Sequence, residues 1–336
     1  MPLNYYGNEG IHGKLMQHFH AENNEQLLQA LNIDFRAVEA PYIGPALFET
    51  PPGRMVDPIY GYRMRWAEHK TGGYWDFCDF PLQGVEDSMI AGFPVPNPDD
   101  FDYEQPAARA ASFKDYAVYV GNAGLADVIN STGRVMGMED TLVNLVTRHE
   151  ATLYYINRVV SMQLGVCERL LEMAKGNISF LWMGEDLGTQ TSPMISLDLY
   201  RDVLRPIHQK YIDLAKSYKL PVMVHTCGAS SWVYEDFIEM GVDAVDTLQP
   251  EATDMTPQSL KERFAGRLAF HGCISTAGAL ALGGPEDTRE IVRQTFEIMM
   301  PTYSYMCAPT HLIQDNTPME NVLSMYQAAK EFGVYS

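Results

Sequence analysis

The stretch PVMVHTCGASSWVYEDFIEMGVDAVDTL, residues 221–248, decides the fold. It opens on an apolar run, PVMV, that stops at His225-Thr226-Cys227-Gly228. A helix follows over 230–240, closed by Gly241, and a second apolar run, DAVDTL, occupies 243–248. Short apolar runs alternating with amphipathic helices predict a parallel sheet with helices outside it, because such strands are buried on both faces. The beat recurs on either side. ISFLWM (178–183) precedes a helix over 196–217 that opens at the N-cap residue Ser196. RLAFHGC (267–273) precedes a helix over 285–299. YSYMCA (303–308) precedes a helix over 318–332, with Thr317 as N-cap and Pro318 at N1.

Working outward, a helix is predicted at 107–112, a strand at 116–120 and one or two helices over 140–175. The first hundred residues are irregular, with Pro and Gly scattered through 41–62 and 91–106. Between them, 63–80 is rich in aromatics and reads as a small antiparallel sheet or an irregular cap. The expected architecture is therefore α/β: a (β/α)8 TIM barrel with an irregular N-terminal elaboration. The whole chain, 1–336, reads as one domain, with 1–106 giving the cap and first barrel elements and 107–332 the main barrel.

The chain has 336 residues, 24 Lys+Arg and 43 Asp+Glu, a net charge of −19 with His neutral. That field repels phosphate backbones and anionic lipid, so neither nucleic acid nor a membrane is an expected partner. The N-terminus lacks the basic and apolar regions of a signal peptide, no apolar stretch approaches membrane-helix length, and five cysteines suggest no disulfide framework. The expected location is cytoplasmic. No Gly-x-Gly-x-x-Gly follows a strand, which removes support for a dinucleotide site.

Polar residues gather where each strand run stops. They are Glu185, Asp186 and Gln190; His225 and Cys227; Gln249; His271 and Cys273; and His311 with Gln314 and Asp315. In a parallel barrel these C-terminal strand ends share one mouth. Asp186, His225, Gln249, His271 and His311 are expected to line one cavity there. His225-x-Cys227 is the sharpest feature. Residues two apart on an extended strand end point the same way, which puts an imidazole and a thiol side by side, as zinc prefers. A third ligand would come from a neighbouring strand end, such as Cys273 or His311. Without metal, Cys227 is a small buried residue and His225 a hydrogen-bonded strand-end histidine. His12, His18 and His20 read as surface residues, and Cys78 and Cys167 as packing residues.

The succession GEDLGTQ, VHTCG, GVDAVDTLQP, LKERFAGRLAFHGCIST and APTHLIQDNTPMENV resembles the uroporphyrinogen decarboxylase superfamily over roughly 120–332. The resemblance implies a distorted (β/α)8 barrel and two functional branches. The decarboxylases proper use no metal and grip substrate carboxylates through an N-terminal arginine motif. That motif is missing here, and GRMVDPIYGYRMR (53–65) is the nearest basic stretch. The other branch is the cobalamin-dependent methyltransferases, such as the methylcobamide:coenzyme M enzymes. Their zinc is held by His-x-Cys and by a late cysteine. His225 and Cys227 match the pair, and the late cysteine position falls on His311.

The resemblance thus implies a zinc-dependent methyltransferase acting on a small methylated substrate or thiol, with the corrinoid supplied by a partner protein. His225 and Cys227, with His311 or Cys273, are the expected metal ligands. Asp186, His271 and His311 are the expected catalytic groups, and Glu185, Gln190, Gln249 and Asn316 the expected substrate contacts. The rival readings are a metal-free decarboxylase of a porphyrinogen or smaller acid, and a non-enzymatic tetrapyrrole- or corrinoid-binding protein.

Overall fold

The computed structural model describes residues 1–70 and 72–335. Its ten strands are β1 (Phe35–Val38), β2 (Met55–Val56), β3 (Arg63–His69), β4 (Gly72–Phe77), β5 (Ala117–Gly121), β6 (Phe180–Gly184), β7 (Val222–Thr226), β8 (Ala244–Thr247), β9 (Ala269–Ile274) and β10 (Tyr305–Pro309). Seven form one sheet in the order β1-β5-β6-β7-β8-β9-β10. The pairs β5–β6, β7–β8, β8–β9 and β9–β10 are all parallel. The strands are apolar and buried, as the unbroken runs predict, and helices connect them. An eighth strand position is filled by a very short segment. Leu3 bridges Cys307 of β10 in parallel, and its carbonyl accepts from the Asp34 amide (3.0 Å) just before β1. This is the α/β barrel-type fold that the alternation predicts.

The chain divides into two compact units. The first comprises Met1–Phe35, Leu187–Met194 and Met223–Ser336, and the second Arg36–Asp186 and Ile195–Val222. In the second unit the aromatic-rich segment is a small antiparallel sheet, β2-β3-β4. Trp66 faces Trp75 across its hairpin, and Met64 faces Phe77.

Several helix boundaries differ from expectation: the helix predicted at 107–112 spans Glu104–Ser112, and that predicted over 230–240 is a 3-10 turn, Ser231–Val233, followed by the α-helix Tyr234–Met240. The segment predicted as one helix over 196–217 begins with the Ser196 hydroxyl capping the Leu199 amide (3.1 Å). It then widens into a π-turn at Tyr200–Leu204 before the α-helix Arg205–Ser217. Pro206 explains the widening: it has no N–H to give the carbonyl four residues back, and its ring crowds that turn. The last helix is Met319–Phe332, so Pro318 is its N-cap rather than its first residue.

Candidate metal centre

Three neighbouring parallel strands of the first unit carry a polar rung. In register, His225 of β7 pairs with Asp246 of β8, and Asp246 pairs with His271 of β9. The Asp246 carboxylate is fully buried and accepts from both rings: His225 Nδ1–H donates to one oxygen and His271 Nδ1–H to the other, each at 2.6 Å. A carboxylate has no proton to give, so both imidazoles must carry hydrogen on Nδ1. On the far side of the His271 ring, Nε2 accepts from the Asn4 amide (3.2 Å) and the Tyr6 hydroxyl (3.2 Å). His225 instead turns Nε2 toward Cys227 Sγ, 3.4 Å away.

The charges follow from these contacts. Burial alone would raise Asp246, but attraction to His271 and the hydrogen bonds from both imidazoles outweigh it and hold the carboxyl at about 2. Burial likewise disfavours a charged His225. The Cys227 sulfur and the bonds with Asp246 and Cys227 more than offset this and push the imidazole well above its usual range.

Backbone geometry fixes the sulfur. Gly228 follows Cys227 with φ +71°, and a Cβ there would meet the Gly188 carbonyl at 2.4 Å. Only glycine allows the 187–194 loop to lie so close. That loop is stitched down by Ala229 N–H to Thr189 O (2.7 Å) and by Leu187 N–H to the Thr226 hydroxyl (3.2 Å). Gln249 reaches back from the end of β8 to accept the Gly228 amide (2.7 Å). Within the first unit, His225 Nε2 and Cys227 Sγ thus face each other, and nitrogen beside sulfur at that spacing suits zinc.

The sequence pointed to His311 or Cys273 as the third ligand, and among the described residues neither joins a ligand cluster with His225 and Cys227. Cys273 is 1% exposed, with φ +68° at the end of β9, and burial pushes its thiol far up. His311, Asn316 and Gln190 are exposed loop residues. His271 is wholly enclosed, which makes it a support for Asp246 rather than a group that meets substrate.

Glu185 also differs from expectation. It lies in the second unit, fully buried, accepting the Val128 and Ile129 amides (2.8 and 2.9 Å) at the start of the helix Val128–Met136. It is a helix-end anchor, not a substrate contact. Asp127 shares its pocket, and His208 Nε2 lies 3.3 Å away. Burial raises Glu185 to about 7, against the pull of Asp127 and the two amides, and lowers His208 to about 4. Asp127 is driven well up by burial and by Glu185. From the neighbouring position, Asp186 accepts the Asn130 side-chain amide (2.9 Å).

Asp246 is the residue of the candidate site that strand-end reasoning missed. Its signal was an acid inside an otherwise apolar strand, a position that is costly unless paired.

Comparison with known proteins places the chain. No curated protein matches it. A solved methyltransferase from Methanosarcina mazei is similar in structure, with a TM-score of 0.67 at 14% identity, covering 99% of this chain and 94% of that one. This likeness bears on the fold alone. A structure of the IOLI protein with a binding zinc atom matches with a TM-score of only 0.35 at 12% identity, over 73% of this chain and 95% of that one, and supports neither fold nor chemistry. The uroporphyrinogen decarboxylase (URO-D) family model matches residues 156–332, more than half of the chain and the part that holds β6 to β10. On that match, and with the barrel-type sheet in place, the chain belongs to the uroporphyrinogen decarboxylase family.

Proposed function

We propose that this chain is a zinc-dependent methyltransferase that exchanges a methyl group between a small substrate or thiol and a corrinoid held by a partner protein. The observation that carries the reading is the donor pair itself: His225 Nε2 and Cys227 Sγ, 3.4 Å apart, with the other ring nitrogen anchored on buried Asp246. A ligand histidine whose second nitrogen is held by a carboxylate is the usual support of a metal site. His225 and Cys227 would hold the ion.

When bound, zinc would favour the thiolate form of a coordinated thiol and so ready it as methyl acceptor. The chain's own residues do the rest. Asp246 keeps the His225 ring in one tautomer and one orientation. Gln249 and the glycine contact at Gly188 and Gly228 keep Cys227 from turning away.

The N-terminal arginine motif of the porphyrinogen reading is missing from 53–65, where Arg54 is engaged by Asp79 and Arg65 lies 3.6 Å from Asp76. The likeness in fold to a methyltransferase agrees with the proposal.

The test is metal analysis of protein purified without added zinc, followed by an assay with methylcobalamin as donor and 2-mercaptoethanol as acceptor. Roughly one zinc per chain and demethylation of methylcobalamin are expected. A metal-free protein inert toward methylcobalamin would overturn the proposal in favour of the metal-free decarboxylase.

A further inference from the structure

The second unit contains a cavity of about 420 Å³ that neither His225 nor Cys227 nor Asp246 lines. Its walls come from the ends of β1 and β5, the helix Val128–Met136, the helix Glu150–Met173 and the β3–β4 hairpin. That volume is in the range of small-molecule sites, and the lining has their usual make-up, aromatic and aliphatic with a few polar groups. Tyr60, Tyr62, Phe77 and Phe101 supply flat apolar surface.

Arg134 is the polar feature that needs explaining. It lines the cavity half-buried from the last turn of its helix. Its guanidinium carbon lies 5.5 Å from the Tyr62 ring centre and 4.9 Å from that of Phe77. Among the described residues it makes no ion pair and no hydrogen bond. A guanidinium set against the edge-to-face pair of Tyr62 and Phe77 has its planar fork of donors restrained in orientation, which suits a carboxylate.

Two acids also line the cavity, and both are partly engaged. Glu39 accepts the Asn122 amide (3.2 Å), and one oxygen of Asp57 accepts the Ile59 and Tyr60 amides (2.9 and 2.7 Å). They disfavour a dianion such as a phosphate ester, and they offer acceptors to a ligand hydroxyl.

We propose that this cavity binds a small aromatic carboxylate bearing a hydroxyl group, with its acid on Arg134, its ring against Tyr62 and Phe77, and its hydroxyl toward Glu39 or Asp57. The proposal goes beyond the zinc reading and does not depend on it.

The experiment is calorimetric titration of the full chain with 4-hydroxybenzoate, beside benzylamine and phenyl phosphate as a cation and a dianion of similar ring size. Binding of 4-hydroxybenzoate in the micromolar to low millimolar range is expected, at least tenfold tighter than either control. Arg134→Met should weaken it at least tenfold, with Arg134→Lys between. Val166→Trp, which fills the cavity and leaves Arg134 in place, should abolish it, so a poorly folded Arg134→Met would not decide the matter alone. Arg267→Met, at an exposed ion pair with Glu235, should bind as the wild type does. No heat from 4-hydroxybenzoate, stronger binding of benzylamine or phenyl phosphate, or wild-type affinity in both Arg134→Met and Val166→Trp would overturn the proposal. Zinc content is measured separately, so failure here and failure of the methyltransferase reading are told apart.

Discussion

Asp246 and Glu185 are both fully buried carboxylates with an imidazole at hydrogen-bond distance, yet Asp246 is held ionised at about 2 while Glu185 is lifted to about 7. The residue types around them are alike, and the stoichiometry is not. Asp246 has two imidazoles to itself, one on each oxygen. Glu185 shares one imidazole with a second acid, Asp127, and that imidazole has been driven toward neutrality. In a medium that solvates charge poorly, a carboxylate stays ionised only where donors outnumber competing acids. The first arrangement aims a neighbouring nitrogen at a cysteine. The second anchors a helix.

The contrast breaks most visibly if the metal goes elsewhere. Cys227→Ala should take zinc from roughly one per chain to nearly none while the far-ultraviolet dichroism stays native, because the residue sits at a strand end. His208→Gln should keep the zinc. Zinc lost from His208→Gln and kept in Cys227→Ala would reverse the assignment of the two clusters.

Asp246→Asn tests the rung itself. An amide can accept from only one of the two Nδ1–H groups and loses the charge. Zinc affinity should fall about 10- to 100-fold by competition with a chelator. Stability should fall by about 3–5 kcal/mol in chemical denaturation, since His225 loses its buried counter-charge and one Nδ1–H loses its acceptor. A change under 1 kcal/mol would mean the rung is not held by charge.

Glu185→Gln sharpens the other side through pH. Its folded value, about 7, lies above its ordinary 4.5. The stability it contributes is therefore whole below about 4.5 and is lost as pH rises through about 7. The glutamine variant has no such loss. It should gain on the wild type from pH 4.5 to 8 by up to about 3 kcal/mol in denaturation midpoints, and a gain in the opposite direction would show that Glu185 is stabilised as the anion.

The smallest effect is expected at Gln249→Ala, which strips the Gly228 amide of its acceptor. A cost of about 1 kcal/mol in stability and a modest loss of zinc affinity should follow. No change in either would place the hold on Cys227 in the glycine contact alone.

Most of the fold was legible because buried strands and amphipathic helices carry different periods, and 221–248 shows both. The His225-x-Cys227 pair was legible for a local reason, the two-residue repeat of an extended chain. Asp246 was not, because its meaning lies in register: it matters through what stands beside it on two other strands. Glu185 was misread because a Gly-flanked acid after a strand looks like a site residue, and only packing reveals the helix end that it serves. His311 shows the limit of placing residues by strand end alone, since the loop after β10 leaves it exposed and outside the ligand cluster.

The bridge between Leu3 and Cys307 also sets an order of events. A chain made from its N-terminus carries Leu3 unpaired until β10 has emerged, with β1 to β9 made in between. Residues 36–186, the larger part of the second unit, are made well before that. The last closure joins the ends of a long loop, a step that is intrinsically slow. Pulse-labelled hydrogen exchange during refolding should then protect the amides of β5 and β6 before that of Cys307, and an early-protected Cys307 would place the closure first. The segment around Leu3, made before any of the ten strands, would be the last to find its place.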